Sequence, residues 1–149
     1  MTLSVDFHYE NGIGFKSDGE DKESVFLRDP ITDNKRVYSP TETMLFAMAG
    51  CSSYDVVLIL SRMRKEIKSY GMHVDAEREE EEPKVLKSVN FHYSIEADVT
   101  KEHVKRAINL SLEKYCSVTI LARRGGVKVT YSLTLNGNLV CEKQAPHID

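Results

Sequence analysis

The stretch SPTETMLFAMAGCSSYDVVLIL, residues 39–60, constrains this chain more than any other. It opens as a helix does: Ser39 at the N-cap, Pro40 at the first helical position and Glu42 three residues after the cap, the pattern of a capping box. From Met44 to Leu60 it is then apolar on nearly every side, with Gly50, Ser52, Ser53 and Asp55 as the exceptions. A helix that is apolar all round is either buried or membrane-spanning. At about 17 residues, with an aspartate in its middle, this one falls short of the roughly 20 apolar residues a span requires. The sequence therefore predicts a buried central helix and no membrane partner. In the continuation SRMRKEIKSYG, Arg62, Arg64, Lys65 and Lys68 suit the negative end of the helix dipole, and Gly71 is the expected stop.

A 149-residue chain is expected to form a single domain, residues 1–149, and has few elements with which to cover such a helix. Packing two copies of the helix together solves the problem, which predicts an obligate homodimer. The remaining elements are short. Residues 3–28 read as two or three strands, with Val5, Phe7 and Tyr9 alternating and turn dipeptides at Asn11-Gly12 and Asp18-Gly19. Strands are expected at 72–79 and 86–97, with the charge run EREEEEP as a solvated hairpin end between them. Thr100 caps a helix with Val104, Ala107, Ile108 and Leu112 on one face; Tyr115-Cys116-Ser117 interrupts it, and Ser117 can cap a short turn. A strand at 127–135 ends at the Asn136-Gly137 turn, and the last dozen residues add a strand or trail off. The fold class is α+β, with antiparallel sheets packed on one long buried helix.

With a formal net charge of −3, the chain carries no electrostatic footprint for nucleic acid. Its first residues, MTLSVDFHYE, alternate apolar and polar instead of forming a signal-peptide core, so a cytoplasmic location is expected. The three cysteines are too few and too scattered for a disulfide framework. The five histidines are scattered as well, with no C-x-x-C or H-x-x-x-H, so neither a metal nor another cofactor is expected.

Chemistry is concentrated on two of the cysteines. Cys51 lies about three turns into the long helix, or at its true start if the SPTE segment bends away, and Cys116 lies at a helix break. An ordinary thiol with a pKa near 8.5 is only about 3% ionised at pH 7, and free amides or dipoles at a helix start raise that fraction. Cys51 taken alone reads as a small core side chain, whereas the helix break favours a reactive Cys116. Cys141 is near no cap or base. Glu42 is explained by the capping box; at positions 42 and 51, it and Cys51 lie about 13 Å apart along a helix and roughly half a turn round. Asp55, four residues after Cys51, shares its face and needs a partner, for which Arg62, Arg64, Arg123 and Arg124 are candidates.

Residues 39–57, SPTETMLFAMAGCSSYDVV, and 113–118, EKYCSV, resemble the OsmC/Ohr family of osmotically inducible and organic hydroperoxide resistance proteins, its OsmC-like branch more than its Ohr branch. The resemblance implies an intertwined homodimer with two buried central helices and active sites at the subunit interface. It implies a cysteine-based peroxidase acting on organic hydroperoxides, with Cys51 as the peroxidatic thiol, Cys116 as the resolving one, and a lipoyl-type dithiol or a small thiol as reductant. Family peroxidases hold the reactive sulfur with an arginine from the N-terminal hairpin; this chain has no arginine before Arg28, leaving Arg28, Arg36 and Lys16 as candidates. The partner glutamate of the Ohr branch directly follows the proline, a position occupied here by Thr41, with Glu42 one place later. Two other readings stay open: an OsmC-like binding module holding an apolar ligand in the interface pocket, and an interaction protein using the EREEEEP run.

Overall fold

The computed structural model describes residues 1–148. It divides into two compact units, residues 1–46 and residues 47 onward, and the boundary falls within helix α1 (Pro40–Arg62).

The N-terminal unit carries an antiparallel sheet of β1 (Phe7–Glu10), β2 (Gly14–Ser17) and β3 (Phe26–Arg28), in that order. Gly12 takes φ +83° in the β1–β2 turn, and Ile13 N–H closes it on the Glu10 carbonyl at 3.0 Å. Gly14 is irreplaceable for a second reason: a Cβ there would come within 2.2 Å of the Leu27 carbonyl oxygen. The loop after β3 is gathered on the buried carboxylate of Asp29, which accepts from Tyr9 Oη (3.2 Å), Gly12 N (3.2 Å), Ile31 N (2.9 Å) and Thr32 Oγ1 (3.2 Å). These donors, the Ile31 amide first, hold its carboxyl below the usual carboxylate range.

The C-terminal unit is a four-stranded sheet in the order β4 (Ile67–Arg78), β5 (Leu86–Ala97), β6 (Lys128–Leu135), β7 (Asn138–Gln144). Between β5 and β6 come α2 (Lys101–Leu110), a π-helical turn (Ser111–Tyr115) and α3 (Ser117–Arg124). Two adjacent helices make a crossover, so β6 returns alongside β5 in parallel, Ser88 opposite Lys128 and Ile95 opposite Leu135. The expected antiparallel arrangement holds for every pair but this one. Phe91, Tyr93 and Ile95 of β5 and Tyr131 and Leu133 of β6 form the inner face. Val104, Ala107 and Ile108 of α2 and Leu112 of the π turn are buried with them, as are Met48, Val56 and Leu60 of α1. Removing each large side chain of this set from water contributes about 1.5–3 kcal/mol.

Three local expectations change. The helix stops at Arg62, not at Gly71, because Arg64 adopts φ +58° and completes a Schellman closure. Its amide donates to the Ser61 carbonyl (2.9 Å) and that of Lys65 to the Leu60 carbonyl (3.2 Å). Gly71 instead lies inside β4. Within one chain α1 is buried along a single face, Met48, Ala49, Ser52, Val56 and Leu60, while Phe46 and Tyr54 are 71% and 72% exposed. By length and composition α1 is long and apolar enough to cross a membrane; its buried face packs in the core, and its mid-point polar residues are hydrogen-bonded inside the protein. Finally, α3 is capped by Cys116, not by Ser117, which is its first residue.

Candidate functional site

Cys51 stands in the middle of an unbroken helix, since α1 runs continuously from Pro40 to Arg62. The helix-start environment considered for it is absent, because amides this far into a helix are committed to the backbone ladder. Cys116 does occupy a helix start, built by the π turn. Its amide closes that turn on the Ser111 carbonyl at 2.7 Å, its ψ of 89° leaves the helical region, and its carbonyl receives the Ile120 amide at 2.9 Å to begin α3.

The two thiols, far apart in sequence, meet. The Cys51 and Cys116 side chains are close enough to interact electrostatically, and both are free thiols. Their exposure differs: Cys116 is fully buried and Cys51 is not. The Cys116 Sγ–H donates to Thr119 Oγ1 at 3.1 Å, and Thr119 Oγ1 donates to the Met48 carbonyl at 3.4 Å, with the sulfur itself 3.8 Å from that carbonyl. Burial pushes the Cys116 thiol up to about 11; the Thr119 hydroxyl and amide oppose the rise and Cys51 adds to it. The Thr119 amide acts only as a nearby dipole, for it is not aligned as a capping bond to the sulfur.

Beside the thiols, a polar seam continues through the core. The buried Ser111 hydroxyl lies 2.9 Å from both Ser52 Oγ and Asp55 Oδ2, and Ser52 Oγ is in turn hydrogen-bonded to the buried Tyr93 hydroxyl. Asp55 therefore finds a hydroxyl, not one of the arginines proposed for it, because its face of α1 turns toward the π turn. Burial raises its carboxyl, with Ser111 opposing. Of those arginines, Arg123 instead braces the π turn, donating to the Leu112 carbonyl (2.8 Å) and to Glu113 (3.0 Å). Tyr70 donates to Ser53 Oγ at 2.8 Å, and burial pushes its phenol to about 12. Sequence reasoning missed Thr119, Ser111 and Tyr93. A hydroxyl three residues beyond a helix-start cysteine was the available signal for Thr119.

In the N-terminal unit the structure joins Arg28 to Glu42, Nη2 to Oε1 at 3.0 Å, while Arg28 Nε donates to the Val37 carbonyl at 2.9 Å. Glu42 thus completes only half of the expected capping box: its amide donates to Ser39 Oγ at 3.1 Å, but its carboxylate is spent on Arg28. The other two cation candidates do not join this pair. Lys16 lies over the Phe26 ring at 5.9 Å, and the Arg36 amide donates to Asn34 Oδ1. Cys141, on β7 opposite Leu133, has its thiol raised by burial, opposed by Lys105. Among the described residues no three His, Cys, Asp or Glu side chains are grouped to hold a metal.

A part-buried thiol on the central helix and a buried one at the start of α3, backed by a mixed sheet, make up an α+β class of protein. Residues 32–132 match the family model described as OsmC-like protein, and the chain belongs to that family. Protein YhfA of Escherichia coli (strain K12) is 38% identical over 95 residues, covering 63% of this chain and 70% of YhfA. The fold is similar to that of an OsmC-like protein from Mycoplasma pneumoniae, with a TM-score of 0.74, 16% identity, and 91% of this chain and 97% of that one covered. An organic hydroperoxide resistance protein OsmC from Legionella pneumophila aligns with a TM-score of 0.64 and 15% identity over 90% and 98% of the two chains. At such identities the likeness is one of fold.

Proposed function

We propose that this protein is a thiol peroxidase that reduces organic hydroperoxides through Cys51 and Cys116. The observation that carries the reading is a partly exposed thiol and a sealed one close enough to influence each other electrostatically inside a single unit. The hydroperoxide resistance named for the Legionella neighbour supports the substrate class. Cys51 sulfur attacks the peroxide, breaking O–O; the thiol becomes a sulfenic acid and one alcohol leaves. Cys116 sulfur then attacks that sulfenic acid: an S–S bond forms, S–O breaks, and the Cys116 proton leaves with the hydroxide as water. An external dithiol, lipoyl-type or two small thiols, returns the pair to thiols and is itself oxidised to a disulfide. A reducing cytoplasm suits a disulfide that must be transient.

The active form proposed is a homodimer. Phe46, Tyr54 and Val57 leave apolar surface on α1 that a second copy would cover, in keeping with the family resemblance. Light scattering should give twice the chain mass.

Intact-mass and peptide analysis after one equivalent of cumene hydroperoxide tests the chemistry. The expected product is a Cys51–Cys116 disulfide, absent in Cys51→Ser. Peroxide consumption at the wild-type rate by Cys51→Ser would overturn the scheme, and thiols of ordinary reactivity with no disulfide after stoichiometric peroxide would leave an apolar-ligand module as the reading.

A further inference from the structure

The resolving step poses a problem that the Cys116 surroundings address. A sulfur sealed from water must first become a thiolate, the form that attacks, and no cation is among the described groups that shift it. The titratable groups that face it are Cys51 from α1 and Tyr93 from β5, and neither stabilises an anion there: both raise, or are raised by, its charge. The neutral side chain against it is Thr119, whose fully buried hydroxyl lies at 3.1 Å; the Met48 carbonyl at 3.8 Å can only accept, and the Thr119 amide acts as a nearby dipole.

We propose that Thr119 is a further catalytic residue, its hydroxyl accepting from the Cys116 thiol at rest and turning to donate to the sulfur as that sulfur loses its proton and becomes the attacking thiolate. The inference rests on the dithiol reading above. Its basis is the three-atom geometry. Thr119 Oγ1 lies 3.1 Å from Cys116 Sγ and 3.4 Å from the Met48 carbonyl oxygen, so its single proton has two acceptors in reach and can serve only one at a time. While the thiol keeps its proton, the sulfur donates to Oγ1 and Oγ1 donates to Met48. When that proton passes to the hydroxyl of the Cys51 sulfenic acid, the resulting thiolate becomes the better acceptor and the Thr119 hydroxyl rotates onto it; attack on the Cys51 sulfur then spends the charge as water leaves. The Met48 carbonyl keeps its helical amide throughout, so the move leaves no backbone acceptor bare. Rotation about one bond thus supplies a donor to the charge at the moment it appears, without burying a permanent cation.

The test separates the two oxidation steps. Sulfenic acid on Cys51 is trapped with dimedone, and disulfide closure is timed after a single peroxide pulse across a range of pH. Thr119→Val should form sulfenic acid at the wild-type rate but close the disulfide about tenfold more slowly, the loss of one hydrogen bond to a developing charge. The rise of its closure rate should move to higher pH, and Thr119→Ser should restore both rate and profile. A packing role alone would leave the pH profile where it was and would not be rescued by the smaller serine. If Thr119→Val does not fold, Thr119→Ala removes the hydroxyl with no steric demand and is read the same way. Closure at the wild-type rate, with an unmoved profile, would overturn the role of the hydroxyl. A wild-type protein that forms no Cys51–Cys116 disulfide would overturn the dithiol reading itself, a distinguishable result.

Discussion

The two thiols influence each other, yet their surroundings are opposites. Cys51 belongs to a regular helix whose amides are spent on the ladder, and it reaches partly to solvent. Cys116 belongs to a deliberate fault, a π turn followed by a helix start, and is closed off from water altogether. The difference suits two successive tasks. A group that must meet a dissolved peroxide needs access, whereas a group that must meet only its neighbour needs placement. The fault provides that placement: closing the π turn on Ser111 carries Cys116 out of α2's helical path and points its sulfur at α1.

The largest effects should come from breaking the pair itself. Cys51→Ser should lose peroxide turnover entirely. Cys116→Ser should consume one equivalent and then stall with a trappable sulfenic acid, visible as a dimedone adduct. Equal behaviour of the two variants would erase the division of tasks.

Next come the polar supports on each side. Ser111→Ala removes the one hydroxyl that touches both Ser52 and Asp55 in the core, and should cost about 1–3 kcal/mol in urea unfolding. Arg123→Ala releases the π turn from its brace on Leu112 and Glu113. Because that pair is partly exposed, about 1 kcal/mol of stability is expected to be lost. Its functional signature should be selective: slower disulfide closure with unchanged oxidation of Cys51. Loss of both steps together would mean that the fault does not serve Cys116 alone.

What could be read from the sequence divides along similar lines. Local devices were legible. Ser39 and Pro40 start α1, Thr100 accepts from the His103 amide to start α2, and the interruption at Tyr115-Cys116 is where the helix breaks. The stop at Gly71 failed because Arg64 takes the left-handed position that favours glycine, while the alternation Tyr70, Met72, Val74, Ala76 was a strand signal concealed behind a run of cations. The parallel β5–β6 pair was invisible because strand direction follows from how the α2–α3 crossover packs, not from either strand's own pattern. The site's polar contacts were hidden for a similar reason. Ser111 meets Ser52 across 59 positions and Thr119 meets Met48 across 71, distances at which no periodicity speaks. Glu42 shows the reverse error: a complete local explanation stood in for a contact with Arg28, 14 residues upstream, that a capping pattern cannot reveal.

The smallest expected effect sharpens the comparison most, since it concerns charge beside Cys51 alone. Asp55 shares that face of α1, and burial raises its carboxyl above the unfolded value of about 3.9. A raised carboxyl binds its proton more tightly in the folded state, so the stability tied to Asp55 is present below pH 3.9 and is lost as pH climbs through the folded value. Asp29 has the opposite sign: its carboxyl is lowered, so its contribution is present above about 3.9 and is lost as pH falls through the folded value. Thermal unfolding from pH 3 to pH 7 separates the two. Asp55→Asn keeps an oxygen for Ser111 but cannot ionise, so its melting temperature should hold up better than wild type toward neutral pH. Asp29→Asn should instead lose part of the rise that wild type shows on leaving acid. An Asp55→Asn curve parallel to wild type would mean that the charge beside Cys51 is not held against a cost, and that the seam between α1 and the π turn is wetter than its geometry implies.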